Sequence, residues 1–272
     1  MTFAPWRNQH GAVDGLRLAA LVLACLPAAW IAVQALTGDL GPRPVTAAIH
    51  QSGDWSVRLL AGTLLVTPLR RIAHWPRLIV VRRTMGLSVL FYAILHVALY
   101  CVDQKFDLQK ILSEIVLRVY LTIGFVALCG LIALGTTSSD AMIRRLGSER
   151  WTRLHRLAYP IAGLSLLHFF IQSRLDVTQP VLMTGLFALL MGHRLMVRRR
   201  WPLGPLALCG LAVAGGLVTA LAEFAWYGLA TGANAWQVLK ANLDFSYVIR
   251  PAWWVLASGL AAAAVAALRQ RT

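Results

Sequence analysis

LSVLFYAILHVALY, residues 87–100, and PIAGLSLLHFF, residues 160–170, each carry one histidine inside an otherwise apolar run: His96 in the first, His168 in the second. An ionisable side chain is costly in hydrocarbon, and where one occurs in a membrane span it marks a pathway or a cofactor. The bland alternative for either residue is a neutral imidazole bonded to a neighbouring helix. The choice turns on whether these runs cross a membrane, and on where along them the two histidines fall.

A bilayer core of about 30 Å needs about 20 apolar helical residues. Such runs lie at about 18–36, 49–69, 85–102, 117–135, 154–172, 180–197, 203–229 and 251–268. Leu18–Leu36 is longer than the h-region of a signal peptide, about 7–15 residues, and reads as a retained helix. Composition agrees. The 272 residues are 58% apolar and 14% charged, with mean hydropathy +0.64. A soluble domain carries about 25% charged residues, and a disordered chain is excluded by the apolar content. The predicted fold is all-α, a polytopic membrane helical bundle of six core helices plus two additional C-terminal helices. Cys25, Cys101, Cys129 and Cys209 form no C-x-x-C pair and read as small apolar residues of helices.

The net charge of +15 follows from position along the chain. With the N-terminus in the cytoplasm, inner segments hold 18 of the 26 Lys+Arg, from Arg7 and Arg17 to Arg269 and Arg271; outer segments hold seven and Arg58 lies within a span. The positive-inside rule therefore predicts both termini in the cytoplasm. These arginines would meet anionic lipid headgroups, so the charge requires no nucleic acid. No dinucleotide fingerprint or P-loop occurs, which leaves any nucleotide-driven step to another protein.

Depth makes the histidine pair informative. His96 is 11 residues along the third run and His168 is 14 residues along the fifth. At about 1.5 Å per residue they lie roughly 16 and 21 Å from the inner edge, both in the outer half. Two neutral imidazoles facing each other across a bundle form the axial arrangement of a low-spin b-type heme. His155 precedes His168 by 13 residues, roughly 20 Å along the axis, so it would serve at the cytoplasmic edge where electrons enter. Thirteen steps also turn the two histidines apart on an ideal helix, and Pro160 between them would kink it and re-phase the ends. His193 lies at a depth near His155 and is a candidate partner for it. His50, Asp54 and Arg58 are spaced i, i+4, i+8 on one face of the second helix. They read either as a local salt bridge or as a cationic group beside a heme propionate or quinone. Arg82, Arg83, Arg153 and Arg156 read as inner-leaflet anchors, with guidance of a donor or a flavin phosphate as the alternative. His10 and His74 read as solvated.

Three stretches, GDWSVRLLAGTLLVTPLRR (53–71), VRRTMGLSVLFYAILHVALY (81–100) and the segment from Arg118 to Phe170, together resemble a known family. This is the heme-binding membrane subunit of bacterial periplasmic methionine-sulfoxide reductase systems, the MsrQ or YedZ type, within the ferric-reductase-like transmembrane group. The most specific part is T-S-S-D-x-M-x-x-x-L-G…W-x-x-L-H-x-x-x-Y, from Thr137 to Tyr159. The resemblance covers about residues 35–200 and divides the chain into an N-terminal tail and first helix (1–34), a heme-binding core (35–200) and a two-helix extension of unknown role (201–272). It implies that His96, His155 and His168 are heme-iron ligands and that His50 is a recurrent histidine before the second span. It also implies one or two b hemes, bound FMN, a cytosolic flavin reductase or quinone as donor, and a periplasmic molybdopterin sulfoxide reductase as acceptor. Arg118-Val119-Tyr120 stands where the family pattern has Arg-Pro-Tyr. In the extension, Trp226, Trp236, Trp253 and Trp254 lie near span ends, as in an aromatic belt.

The expected function is that of a bacterial inner-membrane b-type cytochrome, passing electrons outward from His155 to the heme of His96 and His168 for repair of oxidised methionine on the partner. No substrate-transforming nucleophile or acid–base pair accompanies it. Two alternatives stay open: a ferric- or oxygen-reducing cytochrome, and a heme-free transporter or assembly scaffold.

Overall fold

The computed structural model describes Trp6 and residues 11–174, 176–246 and 248–270; Arg7, His10 and Arg271 lie outside the described residues. Long helices dominate: α1 (Gly15–Thr37), α2 (Pro44–Ile72), α3 (Val81–Asp103), α5 (Val119–Thr136), α8 (Ala158–Ser173), α9 (Thr178–Arg198), α10 (Pro205–Trp226) and α12 (Pro251–Gln270). Among the described residues, seven helical stretches are long and apolar enough to cross a membrane. The expected second span, 49–69, lies within α2. That helix is 29 residues long, but Asp54, Arg58 and its small polar residues hold it below the same apolarity. The chain is a multi-pass membrane protein of helical bundle architecture. Large apolar residues such as Leu26, Trp30 and Leu217 are exposed on the long helices, as lipid-facing positions require.

Sequence chemistry sets the helix ends. Asp14 caps α1 by accepting from the N–H groups of Leu16 and Arg17, and Gly38 ends it at φ 80°. The connections contain short helices that the hydropathy pattern does not reveal: α4 (Leu108–Leu117), α6 (Asp140–Leu146), α7 (Ser148–His155) and α11 (Ala235–Ala241). Asp107, Ser139 and Asn234 cap α4, α6 and α11 with side-chain oxygens. Those caps are the local signal for them. Val119 opens α5 at the first helical position, where proline is also tolerated.

The expected fifth span, 154–172, lies within one helical stretch that is long and apolar enough to cross a membrane, Ser148–Ser173, with the helix interrupted between α7 and α8. Pro160 has no N–H for the Arg156 carbonyl, and the chain turns more tightly there: Leu157 donates to Leu154 at 2.9 Å and Tyr159 to Arg156 at 3.1 Å. His155 therefore ends α7, whereas His168 belongs to α8. The break falls at Arg156–Leu157 rather than at a kink on the proline itself.

The chain divides into two compact units, one of residues up to Thr63 with Leu78–His168, the other of Leu64–Arg77 with Phe169 onward. In the first, α1 packs on α3, and α5 packs on α3 and α4. Ile31, Leu40 and Ala48 form a buried cluster with Trp55 and Leu99 against it. In the second, α9, α10 and α12 pack on one another. Small residues bring their backbones close: a Cβ added at Gly259 would stand 2.5 Å from that of Ala212. Pro68 in α2 leaves the Leu64 carbonyl without its usual partner, and the Arg194 guanidinium of α9 donates to it. The connection between α10 and α12 is held by Glu223, 1% exposed, which pairs with Arg250 at 3.1 Å and accepts from Asn242 at 3.4 Å.

Candidate functional site

His96 of α3 and His168 of α8 face each other within the first unit. Their ring centroids are 6.3 Å apart and their planes stand at 89°. Each ring is steered from behind by a carbonyl. His96 Nδ1 lies 2.8 Å from the Ile49 oxygen on α2, and His168 Nδ1 lies 2.7 Å from the Tyr120 oxygen on α5. A carbonyl only accepts, so both Nδ1 atoms carry the proton. That leaves Nε2 of each neutral ring with its lone pair free for a ligand, the tautomer that metal-bound histidines adopt.

The spacing suits one metal ion held between the rings. A metal–imidazole bond is about 2.0 Å and the ring centre lies about 1.1 Å behind the nitrogen, so two rings on one metal stand roughly 6.3 Å apart, centre to centre. Among the described residues no three His, Cys, Asp or Glu side chains gather to hold a metal ion. Two imidazoles alone leave a metal under-coordinated, so the remaining donors would come from a planar macrocycle. Both histidines are partly buried between apolar helices, which suits heme.

A polar group lies one turn along α3 from His96. Tyr100, one turn beyond His96, donates to Glu114 of α4 at 3.0 Å, and Arg118 pairs with the same carboxylate at 2.8 Å. Arg118 also contacts the Tyr120 hydroxyl at 3.4 Å. Tyr120 belongs to the residue triplet singled out in the sequence; its role as carbonyl partner of His168 is visible only in three dimensions.

His155 is differently placed. Its ring stacks on Trp151 with centroids 4.0 Å apart. Its Nε2 lies 3.3 Å from Thr137 Oγ1, whose hydrogen goes to the Ala133 carbonyl at 2.7 Å. Trp151 Nε1 in turn donates to the Thr137 carbonyl at 2.9 Å. The long Thr137–Tyr159 motif is thus a folded cluster, with Thr137, Trp151 and His155 in mutual contact. Thr137 is thus the hydrogen-bonding neighbour of His155. Arg82 lies within electrostatic reach of His155, and Arg83 pairs with Asp140 of the same motif. That pairing, a hydrogen bond first of all, holds the Asp140 carboxyl below the usual carboxylate range.

His50, Asp54 and Arg58 share one face of α2 as the spacing predicts. Arg58 pairs with Asp54 at 3.9 Å and lies over the Trp55 ring at 5.0 Å. His50 is exposed and within electrostatic reach of His96. In the second unit His193 is buried on α9, with no hydrogen-bond partner for either ring nitrogen among the described residues. His74 is exposed. Trp226 and Trp253 are tied inward, donating to the carbonyls of Arg174 and Asn242, whereas Trp236 and Trp254 stay exposed. All four cysteines are free thiols.

Residues 52–166 match the family model described as the ferric reductase like transmembrane component. The chain is 40% identical over 187 residues to the protein-methionine-sulfoxide reductase heme-binding subunit MsrQ of Rhodospirillum rubrum, covering 68% of this chain and 90% of that protein. It is 38% identical over 204 residues to the protein of the same name in Herminiimonas arsenicoxydans, covering 74% and 90%, and 37% identical over 180 residues to that of Caulobacter vibrioides, covering 65% and 86%. No solved structure matches the chain. With such identity along nine-tenths of two relatives, this chain belongs to the MsrQ family of heme-binding subunits, membrane proteins of the ferric-reductase-like kind.

Proposed function

We propose that the chain is a transmembrane b-type cytochrome of the bacterial inner membrane, with both termini in the cytoplasm, serving a periplasmic methionine-sulfoxide reductase. The observation that carries this reading is the pairing of His96 and His168 at 6.3 Å, each with Nδ1 held by a carbonyl. Heme b supplies one-electron chemistry when bound. The chain's own residues do the rest. His96 and His168 would hold the heme iron through their neutral Nε2 atoms. Ile49 and Tyr120 hold the ring tautomers through their carbonyls. The apolar helices around the two rings would keep water from the bound group and lower the local dielectric.

In this reading electrons enter at the arginine-rich end near His155 and Trp151 and leave at the opposite end, under Tyr100, Glu114 and Arg118. A cytosolic flavin reductase or a quinone is the donor, a molybdopterin sulfoxide reductase the acceptor, and FMN a second cofactor by family resemblance. His155 is a candidate ligand of a second heme only if its Nε2 leaves Thr137. His50 and Arg58 are candidates for contact with the heme periphery.

The test is a reduced-minus-oxidised spectrum of the purified protein and its variants. His96→Ala and His168→Ala each remove the same b-type band, while His193→Ala keeps it. Either of the first two retaining the full band overturns the assignment.

A further inference from the structure

The two histidines are backed by the same device on opposite sides of the pair. The carbonyl that holds His96 belongs to Ile49, four residues before Gly53 on α2. The one that holds His168 belongs to Tyr120, four residues before Gly124 on α5. Positions i and i+4 share one helix face, so each carbonyl and its glycine present a single surface to the ring. A Cβ added at Gly53 would stand 2.9 Å from Nδ1 and 3.1 Å from Cε1 of His96. One added at Gly124 would stand 2.9 Å from both Cε1 and Nδ1 of His168, and 3.3 Å from Cγ. These atoms are not the loose end of a flexible chain. Each ring is tethered by its Nδ1 hydrogen bond and cannot yield without turning or letting go of its carbonyl. Glycine inside a helix costs roughly 0.5–1 kcal/mol relative to alanine, so the helices alone give no reason for it here.

We propose that Gly53 and Gly124 are positioning residues that set the rotation of the two imidazole planes, and through it the electronic type of the iron the pair would hold. This rests on the heme reading above. An axial imidazole donates from the π orbital normal to its ring into one of the metal's two dπ orbitals. Rings at 89° act on different dπ orbitals and leave them nearly equal in energy. Parallel rings act on the same one and split the two. The first arrangement gives oxidised low-spin iron a strongly anisotropic resonance, read as a single low-field feature. The second gives three resolved rhombic features. Alanine at either glycine pushes its ring out of the perpendicular setting.

The experiment is low-temperature electron paramagnetic resonance on the oxidised, full-length holoprotein, with heme per chain and helical content measured on the same samples. Gly53→Ala and Gly124→Ala are compared with Gly163→Ala, where an added Cβ meets no atom within 4 Å. The parent and Gly163→Ala give the single low-field feature. Gly53→Ala and Gly124→Ala move it toward a rhombic spectrum, or lose heme while remaining helical. A rhombic parent, or parent-like spectra with full heme content in both variants, overturns the proposal. So does loss of helical content in both variants, which would assign the glycines to the fold. The heme reading fails separately, if His96→Ala or His168→Ala keeps its heme.

Discussion

The Tyr92 hydroxyl enters the backbone ladder of α1 at Ala28: it accepts the Ala28 N–H at 2.8 Å and donates to the Ala24 carbonyl at 2.8 Å. Pro27 explains why the ladder is open there, since a proline within a helix breaks the bonding pattern around it. Tyr92 is fully buried and lies one turn before His96 on α3, so this contact fixes α1 against the helix that carries the histidine. Tyr92→Phe strands a buried donor and acceptor and should cost about 1–3 kcal/mol. Thermal unfolding in detergent should show the loss, with the heme spectrum retained. An unchanged unfolding midpoint would mean that α1 closes its own ladder without the hydroxyl.

The Thr137, Trp151 and His155 cluster yields a second expectation. Trp151→Phe keeps a ring against His155 but removes the hydrogen bond to the Thr137 carbonyl. A typical bond of this kind contributes about 0.5–1.5 kcal/mol. In the proposed reading, where electrons enter near this cluster, heme reduction slows while the spectrum stays that of the parent. Stopped-flow reduction separates the two quantities.

Asp140 links pH to the same end of the molecule. Its carboxyl is held below the usual range by Arg83, so the folded chain binds its proton less readily than the unfolded one. The stabilisation is complete above the ordinary aspartate pKa and is lost as pH falls through the lowered folded value. The pair is partly exposed, which limits its contribution to about 1 kcal/mol. Asp140→Asn should therefore lower the unfolding midpoint slightly at neutral pH and flatten its acid dependence. Midpoints measured between neutral pH and about pH 3 check this.

The extension carries the largest expected effect. Arg250→Met leaves Glu223 as a buried carboxylate without its cation. Breaking such a pair from one side costs about 3–5 kcal/mol, whereas replacing both partners by apolar residues is often neutral. Protease susceptibility of the 227–250 segment should rise sharply in Arg250→Met and return toward the parent in the Glu223→Leu, Arg250→Met double variant. The heme band should be the same in all of them.

The spans, the shared depth of His96 and His168 and the arginine bias follow from composition and periodicity, because lipid imposes them on any chain that crosses it. The Thr137–Tyr159 motif was legible as a pattern but not as a cluster. Its contacts depend on how α6 and α7 fold back and on the break that Pro160 imposes before α8. Gly53, Gly124 and Tyr92 went unremarked in the sequence. The only local signals were a glycine in mid-helix and a tyrosine one turn from a histidine, and neither has meaning until the facing helix is known. Helix phase and helix contact are set by packing between residues distant in the chain. That is why the presence of two candidate ligands could be read from the residues alone, while their spacing, their right angle and the carbonyls behind them were decided by tertiary structure.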